Sequence, residues 1–321
     1  MNKPENNGNK RFGRTDIYML LATLFWAVNF SIIKIALREF SPSGFNGLRL
    51  LFSSLLLLIV LWVSGEGFLL SRSEFWKALV LGLVGVAIYQ TLFIQGINLT
   101  SASNTSLIMA MTPVLIALMS SFFRIEKISR AGWAGIFISF IGLYLVVTKQ
   151  TPGFEWAWKS LRGDLLIFTG NICWAAYTVF SKPLLKRIPP LKLCAWTMFL
   201  GTLFYLPIVA KDIRNLPWSQ LSLTAWASLL YSGLFAIVIS CVIWFASLKR
   251  VGNAKTGIYG NITPVFAALF AHFFLSERIT VFQMIGALII FSGFYLTRSS
   301  GLFIGRKRTL GETAKGAGYF S

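Results

Sequence analysis

The second half of this chain repeats the first, and each copy holds an odd number of apolar helices. Displaced by 151 residues, Thr112-Pro113-Val114 falls on Thr263-Pro264-Val265, Phe122-Phe123 on Phe273-Phe274, and Glu126 on Glu277. The register continues without a gap, setting Gly135, Gly142 and Tyr144-Leu145 on Gly286, Gly293 and Tyr295-Leu296. Nearer the amino terminus the offset is 148, which pairs Asp16, Trp26-Ala27, Lys34 and Pro42 with Asp164, Trp174-Ala175, Lys182 and Pro190. The slip of three residues is absorbed between the second and third helices of the unit. An odd helix count reverses the chain's direction across a bilayer, so the second copy must sit inverted with respect to the first. Two inverted copies of one packing plan give two mirror-related conformations, the property a carrier needs, and this points to transport.

Composition places the helices in a membrane. Apolar residues make up 55% of the 321, charged residues 13%, and the mean hydropathy is +0.68. Crossing the hydrocarbon core takes roughly 20 predominantly apolar residues. Ten such segments are expected, near 16–37, 43–64, 76–96, 102–123, 131–148, 164–183, 192–210, 224–246, 255–275 and 279–297. The organisation that follows is a cytoplasmic tail (1–15), a first five-helix repeat (16–148), a connecting loop (149–162), a second five-helix repeat (163–297) and a basic tail (298–321). The first fifteen residues are polar and the apolar run behind them is too long for a signal-peptide core, so no cleavable signal is expected.

A net charge of +19 invites a nucleic-acid reading, which the distribution of the charge rejects. With the amino terminus placed in the cytoplasm, 21 Lys and Arg fall on the cytoplasmic side and 7 on the other, Lys34 and Arg49 lying within helices. Such a bias is the positive-inside pattern with both termini cytoplasmic. The expected partners are the bilayer and a small solute, with no nucleic acid, and the basic carboxyl-terminal stretch lies near anionic headgroups. Cys173, Cys194 and Cys241 fall in apolar helices without metal-ligand or disulfide spacing, so no metal or other cofactor is expected.

Three stretches carry a resemblance to the ten-helix EamA-type members of the drug/metabolite transporter superfamily. They are Leu24-Phe25-Trp26-Ala27-Val28-Asn29-Phe30 with Lys34 in helix 1; Thr100-Ser101-Ala102-Ser103 leading to Met111-Thr112-Pro113-Val114, echoed by Gly252-Asn253-Ala254 and Thr263-Pro264-Val265; and Ser276-Glu277-Arg278-Ile279-Thr280, echoed by Glu126-Lys127-Ile128-Ser129. The resemblance covers residues 16 to 297. It implies an all-α integral membrane protein, two inverted five-helix bundles around a central cavity lined by helices 1, 3, 4, 6, 8 and 9. It also implies a secondary transporter of small metabolites in a bacterial inner membrane, often an exporter of amino acids, with one chain sufficient for a pathway.

The residues themselves nominate a pathway. Trp26, Asn29, Phe30 and Ile33 form one stripe of helix 1, and Trp174, Tyr177, Thr178 and Ser181 are the same stripe of helix 6. Indole, amide, phenol and hydroxyl groups are poorly suited to face lipid, so both stripes are expected to face the interior; helix–helix hydrogen bonding is the plainer alternative. Pro113 and Pro264 interrupt helices 4 and 9, remove an amide donor and free carbonyls, and are candidate hinges. Beside them, Asn104, Thr105 and Thr112 on helix 4, and Tyr259 and Thr263 on helix 9, are candidate lining residues, as are Gln90 and Phe93 on helix 3 and Trp244 on helix 8.

Charge is informative mainly by its rarity. No Asp or Glu falls in the middle of an apolar segment; Asp16, Asp164, Glu126 and Glu277 sit at predicted helix ends, and the single histidine is His272. Proton-driven carriers usually hold a protonatable group in the pathway, so facilitated exchange is expected instead. Lys34 and Lys182 are expected to extend to the interface. Arg49 is expected to tie helix 2 to a neighbouring loop, with a substrate carboxylate as the alternative; its repeat counterpart is Thr197. An intramembrane enzyme would need paired acids, a metal set or a nucleophile with its base, for which the chain offers little. A carrier of phosphorylated or lipid-linked compounds would need Lys34, Arg49, Lys182 or Lys255 inside the cavity.

Overall fold

A computed structural model describes residues 13–100, 102–148, 158–275 and 281–299. Helices account for every regular element among them. The first two spans are α1 (Arg14–Ala36) and α2 (Pro42–Ser64). The third runs through α3 (Arg72–Gly82), a π-helical segment (Leu83–Ile88) and α4 (Tyr89–Leu99). The fourth is broken into α5 (Ala102–Met109) and α6 (Thr112–Phe122), and the fifth is α7 (Arg130–Thr148). The second repeat follows the same order. Spans six and seven are α8 (Trp158–Leu185) and α9 (Pro190–Arg214). Span eight comprises α10 (Leu223–Tyr231), a π segment (Ser232–Ile239) and α11 (Ser240–Val251). Span nine comprises α12 (Asn253–Gly257), a 3₁₀ turn (Ile258–Ile262) and α13 (Thr263–Leu275), and span ten is α14 (Val281–Ser299). Among the described residues, five of these spans are by length and composition able to cross a membrane unbroken.

Local sequence sets the boundaries. Ser41 caps α2 by accepting from the Gly44 amide at 3.3 Å, Pro42 supplies the first helical residue, and Gly65 ends the helix in the left-handed region at φ 70°. Ser71 and Glu74 close a reciprocal capping box at the start of α3, with Ser71 N donating to Glu74 at 2.9 Å. Span four breaks at Ala110–Met111, immediately before Pro113, and span nine is wound as a 3₁₀ turn immediately before Pro264. Both prolines therefore end one helical piece and open the next.

Contacts between α7 and α14 fix how the two copies are related. Ser139 Oγ donates to the carbonyl of Ile290 at 3.3 Å, and these residues are 151 apart, the repeat offset. A Cβ on Gly135 would lie 2.6 Å from the Gly293 carbonyl, and one on Gly142 would lie 2.6 Å from the Gly286 carbonyl. Gly286 and Gly293 are the counterparts of Gly135 and Gly142, so the mates meet crosswise. Moving forward along α7 means moving backward along α14. The helices are antiparallel, a two-fold axis passes between Ser139 and Ile290, and the repeats are inverted. Glycine is required here because the backbones touch, as in small-residue packing of membrane helices.

The same symmetry runs through the bundle. Spans two and seven pack as mates, and span three packs on span six as span one packs on span eight. The π segments at Leu83–Ile88 and Ser232–Ile239 occupy equivalent positions in spans three and eight. A π-helical turn inserts a residue into the ladder and leaves a carbonyl available, a feature often found at functional sites.

Candidate functional site

Where the repeats meet, residues of both line a cavity of about 110 Å³. Its aromatic wall is built from repeat mates: the Trp26 and Trp174 rings lie edge to face at 6.2 Å, and Trp244 lies 5.3 Å from Trp26 and 5.8 Å from Trp174. Tyr89 extends the wall at 5.2 Å from Trp174. The Trp26 indole donates to the Ala236 carbonyl at 2.8 Å, using the second π segment as its acceptor. Trp244 donates to Thr178 Oγ1 at 3.2 Å, whereas the Trp174 indole makes ring contacts and no hydrogen bond among the described residues.

Polar groups interrupt this wall at a few points. Asn29 lines the cavity with its Oδ1 buried and without a hydrogen-bond partner. The Thr112 hydroxyl, just before Pro113, shares its single proton between the Met109 carbonyl, which the proline leaves without its usual amide, and Asn171 Oδ1 at 2.6 Å. Asn171 Nδ2 completes the repair by donating to the Ile108 carbonyl at 2.7 Å. The break in span four is thus held open by a buried amide from α8.

Of the residues nominated from sequence, Trp26, Asn29, Phe30, Gln90, Phe93 and Thr112 line the cavity, as do Trp174, Trp244 and Thr263. The others have different settings. Tyr177 is buried against Gly85 and bonds Thr197 Oγ1 at 2.6 Å, so it packs span six onto span seven and the π turn. Thr178 stands behind Trp244 as its acceptor, and Thr105 is fully buried outside the cavity wall. Tyr259 donates to Asp16. Pro113 faces Gly257 and Gly260 of span nine, and Pro264 follows the 3₁₀ turn. Asn104 lies on α5 and His272 on α13, and the side chains of both fall outside the described residues.

Among the charged groups, Arg49 is placed differently from its sequence expectation. It is 1% exposed and contributes to the cavity wall through side chains of spans two, three and eight, so it ties no loop. Asp16 sits at the helix end expected of it and is fully buried: its Oδ2 accepts from Gly13 N at 2.7 Å and its Oδ1 from Tyr259. Lys34 donates to the carbonyls of Ile97 and Thr100 at 2.5 and 2.8 Å, capping the end of span three. Lys182 pairs with Glu126 at 3.2 Å, and the same carboxylate accepts from Asn253 N at 2.6 Å, while Asn253 Nδ2 bonds Ser120 at 2.9 Å. Spans two and seven also enter the cavity wall, through Arg49 and Met198, in addition to the six helices expected.

These contacts distinguish the two ends of the bundle. Spans four, six and nine are laced together by Glu126, Lys182 and Asn253 at the end where α1 begins, and Asp16–Tyr259 ties span one to span nine there. The cavity residues of spans one to four come from the other half of those spans, toward Lys34 and Thr100. Those of spans seven to nine, Met198, Cys241, Trp244, Gly260 and Thr263, come from the half toward the laced end, so the cavity lies near the middle of the bundle. Among the described residues no group of three or more His, Cys, Asp or Glu is arranged to hold a metal.

The sequence pattern of the EamA-like transporter family matches residues 13–148 and again 161–299, one match per repeat. A Bacillus subtilis protein named uncharacterized transporter YyaM is 29% identical over 302 residues, covering 93% of this chain and 98% of that protein. An uncharacterized transporter of Archaeoglobus fulgidus is 32% identical over 285 residues, covering 88% and 97%. A crystal structure with the same fold superposes with a TM-score of 0.75 at 18% identity, covering 89% of this chain and 98% of the other. The repeat, the inverted packing and these matches agree: the chain is a multi-pass membrane transporter and belongs to the EamA-like transporter family.

Proposed function

We propose that the chain is a bacterial inner-membrane carrier that exports amino acids or similarly sized neutral or zwitterionic metabolites by alternating access, as a single chain and without direct proton coupling. One observation carries this reading: the cavity lies at the junction of the two repeats, its wall is made by the mates Trp26 and Trp174, and it presents the unpaired amide of Asn29. A site on the pseudo-two-fold junction reaches both membrane faces by exchange of equivalent contacts. Among the described residues no Asp or Glu lines the cavity, which supports facilitated exchange over a proton relay. On the positive-inside reading the Glu126–Lys182 end is cytoplasmic, so this conformer is laced on the cytoplasmic side. Of the candidate cations for a phosphate carrier, Arg49 lines the cavity, while Lys34 and Lys182 are bonded elsewhere. That weighs against phosphorylated substrates.

The test is counterflow in proteoliposomes loaded with neutral amino acids, with trace labelled solute outside and no ion gradient. Transient accumulation of label supports the reading. Silence across the panel from folded protein, or accumulation that requires a proton gradient, contradicts it.

A further inference from the structure

Among the described residues Arg49 is the only charged side chain in the cavity wall, and its surroundings are unusual for a buried cation. It is 1% exposed and no acid pairs with it. Its partners are three neutral oxygens: Nη1 donates to Ser232 Oγ at 2.9 Å, and Nη2 to Asn46 Oδ1 at 2.5 Å and Gln90 Oε1 at 2.8 Å. Phe45 covers one face of the guanidinium at 5.4 Å. A guanidinium has five N–H donors, and Nε has no partner at all. Burying a charge without its counter-charge is expensive in a membrane protein, and such residues face functional cavities by default.

Packing does not demand the cation. The counterpart of Arg49 in the second repeat is Thr197, a neutral residue whose hydroxyl bonds Tyr177. The same inverted fold is thus built once with a charge and once without. The half-buried Gln90 also lines the cavity, so it stands between the guanidinium and the solute space.

We propose that Arg49 is the anchor for a carboxylate carried by the substrate, which takes the place of the Gln90 amide oxygen on the guanidinium. A carboxylate brings the opposite charge and a two-oxygen fork that the neutral amide oxygen of Gln90 lacks, so the exchange is favourable, and a permanent acidic partner would have blocked it. Asn46 and Ser232 hold the guanidinium plane while Gln90 moves, and its released amide can donate to the same carboxylate. The far side of the cavity offers indole faces and, among the described residues, no acid, so it receives the apolar body of the substrate and does not require an ammonium group. The substrate class is a small monocarboxylate with an apolar body, amino acids being one subset. This rests on the reading of the cavity as the transport pathway.

The experiment uses the full chain in detergent and the emission of its cavity tryptophans. The probes are aliphatic, so they do not absorb at the excitation wavelength: leucine, leucinamide, 4-methylpentanoate and 4-methylpentanamide. Saturable changes with the acids at concentrations at least about tenfold below those needed for the amides are expected, about 1.4 kcal/mol of discrimination or more. Arg49→Gln should bring the two within about threefold, and Arg49→Lys should retain part of the preference, since a point charge replaces the fork. Amides binding as well as acids in the wild type, no carboxylate-dependent change, or a preference that survives Arg49→Gln would each overturn the anchor. The wild-type comparison stands alone if the variants do not fold. Amino-acid counterflow with no acid preference would remove the anchor and leave the proposed function. An acid preference without amino-acid counterflow would do the reverse.

Discussion

Ser139 donates a hydrogen bond to the carbonyl of Ile290, its own counterpart in the second repeat, and that single contact places the two-fold axis of the molecule between α7 and α14. Around it the backbones approach so closely that Gly135 and Gly293 leave no room for a side chain on either. A Gly135→Leu variant is therefore expected to force the helices apart and lose folded protein, by about 1–3 kcal/mol or more. Thermal stability of the detergent-solubilised variant checks this; a melting point equal to the wild type would remove the axis from the account of stability.

Asn29 gives the opposite pattern. Its Oδ1 is buried and unpaired, so Asn29→Leu removes no internal hydrogen bond and is expected to leave the melting temperature unchanged or raised. Flux should nevertheless fall at least about tenfold, because the amide contributes to the cavity surface that meets the solute. Measuring melting and initial transport rate on the same preparation separates the two effects.

Asn171 is predicted to be structural. It repairs the break before Pro113 through Thr112 and the Ile108 carbonyl, and it is fully buried. Asn171→Ala removes two buried hydrogen bonds, to Thr112 and to the Ile108 carbonyl, and should cost about 1–3 kcal/mol. Chemical or thermal unfolding against the wild type reads the loss directly.

The turn after α1 carries a pH-dependent contact. Glu39 accepts from Ser222 N at 2.8 Å and Ser222 Oγ at 2.7 Å, tying the first repeat to the start of α10. These bonds, the backbone one foremost, hold the Glu39 carboxyl below its ordinary value of 4.5. Since the folded value is the lower one, the contact stabilises fully above the unfolded pKa and is lost as pH falls through the folded value. The stability gap between wild type and Glu39→Gln should be constant near neutrality and close as pH drops below about 4.5. A gap that persists into acid contradicts the assignment.

Much of this architecture is legible in the chain because apolar length and the repeat register are properties of consecutive residues. The stripe Trp26-Asn29-Phe30 could be read from helical spacing, and the mates Trp26 and Trp174 do meet in space. Settings decided by another span were not legible. Tyr177 shares the stripe of Trp174, yet the absence of a side chain at Gly85 lets its ring pack sideways instead of inward. Arg49 lies a turn or two inside α2, where reach to the headgroups and burial look alike until Asn46, Gln90 and Ser232 are brought to it. Asn171 was open to sequence reasoning: it precedes Trp174 by three residues, and extending that stripe by one turn would have found it. The π segments leave no signal in hydropathy, because their residues are as apolar as the helices around them.

The most direct measurement of alternating access locks the laced end. Glu126 and Lys182, 3.2 Å apart at their charged tips, would be replaced by cysteines in a chain cleared of Cys173, Cys194 and Cys241, then bridged with a short reducible thiol reagent. The account predicts that bridging abolishes counterflow and that reduction restores it, because spans four and six must separate at this end for the cavity to open there. Full counterflow through the bridged protein would contradict it.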